Sequence, residues 1–86
     1  MTLEERLALA DRLDGFCKTL TPDEFDTYEI VEPMAFALLS DELPPAVIDA
    51  ELGAAIASLP DHLEHHIAAL RGIRAALPPF NPDNLL

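Results

Sequence analysis

Sixteen Asp and Glu stand against five Lys and Arg in 86 residues, a formal charge of −11 that repels phosphate backbones and anionic bilayers and so excludes direct binding of nucleic acid or of a membrane surface. The single cysteine, Cys17, excludes an internal disulfide or a thiolate metal cluster and points to a reducing compartment, expected to be the cytoplasm. Length allows one small domain, residues 1–86, which buries only about 60–65% of its unfolded surface, so a partner or a second copy would widen a thin stability margin.

Half the residues are hydrophobic, but thirteen of these are Ala, five are aromatic and few are β-branched, an inventory for closely packed helices and not for a sheet. The first helix is predicted over residues 2–19. Thr2-Leu3-Glu4-Glu5 is a capping box that starts it, and charge from Glu4 onward leaves no expected leader segment. Leu3, Leu7, Ala10, Leu13, Cys17 and Leu20 form its apolar stripe, widened by Leu9 and Phe16. Gly15 weakens it by about 1 kcal/mol relative to Ala and suits a close crossing by a neighbour.

Thr21-Pro22-Asp23-Glu24 combines a cap, a Pro at the first helical position and two acids in the first turn, so a second helix is predicted over 22–39. Ile30, Val31, Met34 and Leu38 share one side of it, while Phe25 and Tyr28 sit well round from them. Pro33 cannot donate to the Glu29 carbonyl, so the helix is expected to kink there, or to break and restart. The apolar run from Met34 to Leu39 reads as buried helix, far short of the roughly 18 residues of a membrane span. Ser40-Asp41-Glu42-Leu43-Pro44-Pro45 forms the next loop.

The third helix is predicted over 45–57, with Ile48, Leu52, Ile56 and then Leu59 stacked at helical spacing. Ala46, Ala50, Ala54 and Ala57 make a narrow ridge suited to close packing within the fold or across the two-fold axis of a homodimer. In Ser58-Leu59-Pro60-Asp61, Ser58 reads as a cap accepting from the Asp61 N–H, and a fourth helix is predicted over 59–77 with Leu63, Ile67, Leu70, Ile73 and Leu77 as its stripe. Three prolines then predict an extended tail over 77–86, whose Phe80, Leu85 and Leu86 are apolar for a freely solvated end. The expected architecture is all-α: a compact bundle of about four helical segments with an extended Pro-rich tail.

Chemistry-bearing patterns are sparse. His62 and His66, four apart on the predicted fourth helix, have the spacing of two imidazoles on one metal ion, but no zinc-site motif surrounds them. They read mainly as part of a polar face, and no cofactor is expected. Cys17 lies on an apolar stripe near a helix C-terminus, where the dipole disfavours a thiolate. Without a triad, a phosphate loop or a defined carboxylate pair, no enzymatic activity is expected.

Charge distribution is the informative feature. From Thr19 to Leu70 there are eleven acids and no Lys or Arg. Asp23, Glu24, Asp26, Glu29, Glu32, Asp41 and Glu42 cluster there with Phe25 and Tyr28, an arrangement of anchors and polar rim suited to a protein interface. With Phe80 these residues are the expected contact set. The function expected is non-enzymatic: occupation of a basic surface on a protein partner, regulating or inhibiting it, including one that normally holds nucleic acid, as a small inhibitor from a phage or mobile element would. Alternatives are a structural adaptor held by the tail and alanine ridge, and a helical metal-binding protein using His62 and His66.

Overall fold

Thr2 and Glu5 cap the first helix reciprocally: the Glu5 N–H donates to Thr2 Oγ1 at 3.1 Å and the Thr2 N–H donates to Glu5 Oε1 at 2.9 Å. The computed structural model that this box opens describes residues 1–40 and 43–79. Its helices are α1 (Leu3–Cys17), α2 (Phe25–Ser40), α3 (Pro45–Ser58) and α4 (Glu64–Ala75), with a 3-10 turn over Pro22–Glu24 leading into α2. The chain is all-α, with no strand among the described residues. Asp41, Glu42 and Phe80, and most of the predicted tail, lie outside those residues.

Each helix packs on the next in sequence, and α4 returns to touch α1. The Arg6 guanidinium, in the first turns of α1, donates from Nε at 3.3 Å and from Nη2 at 3.2 Å to the Leu38 carbonyl near the end of α2. The two helices are therefore antiparallel, and a cation caps the negative end of α2. Leu13, Val31, Leu38, Ile48, Leu52 and Leu70 are fully buried at the centre. Each large aliphatic side chain among them stabilises the fold by about 1.5–3 kcal/mol relative to exposure.

Several expectations change. Ser58 does not cap α4: its hydroxyl donates back to the Ala55 carbonyl at 2.6 Å and lies 2.6 Å from Thr27 Oγ1, so α3 ends there and α4 begins only at Glu64. At Pro33 α2 neither breaks nor restarts. Pro33 is exposed, so water can satisfy the carbonyl it leaves unpaired. No neighbour crosses at Gly15, where an added Cβ would meet nothing within 4 Å. Of the alanine ridge only Ala46 is buried; Ala50, Ala54 and Ala57 face outward, and Ala55 takes the core position. The apolar run at the end of α2 is split, with Met34, Ala35 and Leu38 inside and Phe36 and Leu39 outside. Leu3 and Leu7 are exposed too, at the end of α1 that lies beside the exposed Phe36 and Leu39 of α2.

Candidate functional site

The outward face of α2 carries the residues that composition and charge single out. Phe25, Tyr28, Glu32, Phe36 and Leu39 recur at intervals of three, four, four and three, which places them on one helical stripe with Glu29 beside it. The opposite stripe, Thr27, Val31, Met34 and Leu38, is buried. Phe25 is 56% and Tyr28 39% exposed, and their rings stack with centroids 6.3 Å apart and planes 14° from parallel. Neither turns inward. Asp23, Asp26 and Glu29 surround them and are exposed.

Glu24 does not belong to this surface. Its carboxylate caps the 3-10 turn, accepting from the Thr21 N–H at 3.4 Å and from Thr21 Oγ1, and Oε1 lies 3.5 Å from His66 Nε2 in a contact that is buried on both sides. Hydrogen bonding to the Thr21 hydroxyl, opposed by burial and reinforced by the Thr21 N–H and the His66 charge, holds this carboxyl below its ordinary range. Phe16 covers His66 edge-on at 5.6 Å. In α4 the positions 66, 70 and 73 are the buried ones, so His66 is a core residue with a carboxylate partner.

His62 precedes α4, so the shared helical face needed for a two-imidazole site does not exist. Among the described residues no group of three or more His, Cys, Asp or Glu is arranged to hold a metal ion. Nor is any helix among them long and apolar enough to cross a membrane.

Glu32, on the outward stripe, is half-buried at the edge of the open groove between α2 and α1. Its Oε2 is out of solvent and has no hydrogen-bond partner among the described residues. Cys17 lies beneath it, its thiol pushed up to about 12 by burial first, then by hydrogen bonding to Glu32 and by the Glu32 and Asp14 charges. Between α1 and α2 runs an apolar groove of about 340 Å³ lined by Leu7, Ala10, Ala35, Phe36 and Leu39, with Asp11, Asp14 and Glu32 along it. The Phe36 and Leu39 half of this surface was not anticipated, although its spacing in sequence continues that of Phe25 and Tyr28.

Among the described residues the acidic tract is compensated by an outside cation at Asp49. Arg74 Nε and Nη2 donate to Asp49 at 2.7 and 3.1 Å and hold its carboxyl below the ordinary range. Before the tract, in α1, Lys18 pairs with Asp14 at 3.1 Å. No protein-family model matches the chain, and no curated protein or solved structure is significantly similar to it.

Proposed function

We propose that this is a non-enzymatic binding protein that occupies a basic surface on a protein partner with the outward face of α2. The observation that carries the reading is the exposed, stacked Phe25–Tyr28 pair set among Asp23, Asp26 and Glu29. Large aromatic rings left half in water are costly for an isolated surface and favourable at an interface core, while the surrounding carboxylates supply the rim. Burying what remains exposed of each ring contributes about 1–2 kcal/mol to association, once the cost of ordering is set against area. The acidic rim contributes chiefly to partner choice and to association rate, which falls as salt screens it. Where the basic surface ordinarily holds nucleic acid, occupation excludes that ligand and the outcome is competitive inhibition.

The test is parallel affinity capture from the source cell with wild-type protein, Phe25→Ala/Tyr28→Ala and Asp26→Lys/Glu29→Lys. A partner with a basic surface should be retained by the wild type, lost from both variants and released by salt. Its undiminished capture by both variants would sink the reading.

A further inference from the structure

The seam between α1 and α2 continues beyond the core as a surface that leaves large apolar side chains exposed among the described residues. Leu3, Leu7, Phe36 and Leu39 are 60, 43, 64 and 56% exposed, four large apolar side chains along two adjacent antiparallel helices. The groove among them, about 340 Å³, is more than twice the roughly 150 Å³ of an engineered apolar cavity that accepts benzene. Its charge has one sign. Asp11, Asp14 and Glu32 line it, the Arg6 guanidinium is committed to the Leu38 carbonyl, and Lys18 is committed to Asp14. Glu32 Oε2 is out of solvent and meets no hydrogen-bond partner among the described residues, the only donor beside its carboxylate being the weak Cys17 thiol, so an incoming guanidinium or ammonium would supply the stronger partner.

We propose that the α1/α2 groove docks a basic amphipathic helix of the partner protein, with a large apolar side chain seated against Leu7, Ala10 and Phe36 and a Lys or Arg of the same helix reaching Glu32. This rests on the reading that the partner surface is basic, and names the secondary structure and the anchor it uses. A helix suits the site because two parallel ridges of side chains form a trough for a third, and no strand among the described residues offers an edge for an extended peptide. A second copy of this chain is disfavoured because it would set Asp11, Asp14 and Glu32 against their own equivalents. Residues 80–86 offer Phe80, Leu85 and Leu86 to an apolar groove but carry Asp83 and no cation, so they have nothing to pair with Asp11, Asp14 and Glu32.

A displayed library of random 16-residue peptides, panned against the full-length protein, supplies the probe, and fluorescence anisotropy of the enriched peptide measures it. Enriched sequences should place large apolar residues three or four apart beside Lys or Arg. Phe36→Ala should weaken such a peptide at least tenfold and Glu32→Gln at least threefold, while Phe25→Ala stays within twofold. Phe36 is exposed and Gln preserves the shape of Glu32, so both variants fold, as circular dichroism should confirm. No enrichment, enrichment of acidic or non-amphipathic peptides, or equal binding by Phe36→Ala overturns the proposal. Self-association lost in Phe36→Ala assigns the groove to a second copy, and a tenfold gain in peptide affinity on deleting residues 80–86 assigns it to the chain's own end; either also overturns it. Loss of peptide binding with Phe25- and Tyr28-dependent partner capture intact sinks the groove alone, and the converse result sinks the acidic face alone.

Discussion

Thr27 and Ser58 decide how firmly the first half of α2 is held to the end of α3. Their hydroxyl oxygens are 2.6 Å apart, and Ser58 gives its proton to the Ala55 carbonyl at 2.6 Å, so Thr27 must donate to Ser58. Thr27→Val and Ser58→Ala delete the same bond and leave different remains. Valine keeps the shape of a residue that is only 1% exposed, and leaves Ser58 still bonded to Ala55 with water available to it; the cost is about 0.5–1 kcal/mol. Alanine at 58 strands the buried Thr27 hydroxyl, which costs about 2 kcal/mol. For a domain of this length a loss of 1 kcal/mol lowers Tm by about 4–8 °C, so Ser58→Ala should melt about 10 °C lower and Thr27→Val about 4 °C lower. In the double variant no hydroxyl is stranded, and it should melt above Ser58→Ala alone. Thermal unfolding followed by circular dichroism measures all four proteins. Equal losses from the two single variants, or simple additivity in the double variant, would refute this account of the bridge.

Cys17 should resist Ellman's reagent at pH 8 in the folded protein and react fully in denaturant, because a thiol titrating at about 12 is almost wholly protonated there; reaction of the native protein at a free-cysteine rate would contradict this. Folded Glu24 binds its proton less readily than unfolded Glu24, so its contribution is present above the unfolded value of about 4.5 and is lost as pH falls through the lower folded value. Glu24→Gln should therefore lower Tm at pH 6, and the gap to the wild type should narrow as the pH falls below 4.5; a constant gap between the two melting curves would exclude that origin. Gly15→Ala, which meets no neighbour within 4 Å in a regular helical backbone, should stabilise by about 0.5–1 kcal/mol, read as a higher Tm. The same change at Gly53 should yield less, since its Cβ would stand 3.2 Å from the Arg74 guanidinium that holds Asp49.

Where a sequence signal and its satisfaction are both local, the fold was legible. The Thr2–Glu5 box and the spacing of Ile48, Leu52, Ile56 and Leu59 led to the helices observed, with Ile56 only half-buried, whereas the helix expected from Pro22 opens as a 3-10 turn and becomes α-helical at Phe25. Ser58 shows where such reading stops. Its hydroxyl had two possible employments, a cap for the next helix or a tie to Thr27, and the second depends on a residue 31 positions away in sequence. Glu24 was misplaced for a related reason: its capping role could be read, but the imidazole that draws the carboxylate inward comes from α4. The exposure of Phe36 and Leu39 was obscured by composition, because a run of apolar residues looks buried until its helical phase is compared with that of Phe25 and Tyr28.

Pro33 gives α2 a seam that its continuous outline conceals. With no N–H offered to the Glu29 carbonyl, the ladder lacks one rung at the middle of the helix. The segment before it is moored to the α3–α4 turn through Thr27 and Ser58, whereas the segment after it is moored to α1 through Arg6 and the Leu38 carbonyl. Hydrogen exchange should therefore resolve two cooperative units within one rod, and a load applied at Phe25 is borne by a different part of the molecule from a load applied at Phe36.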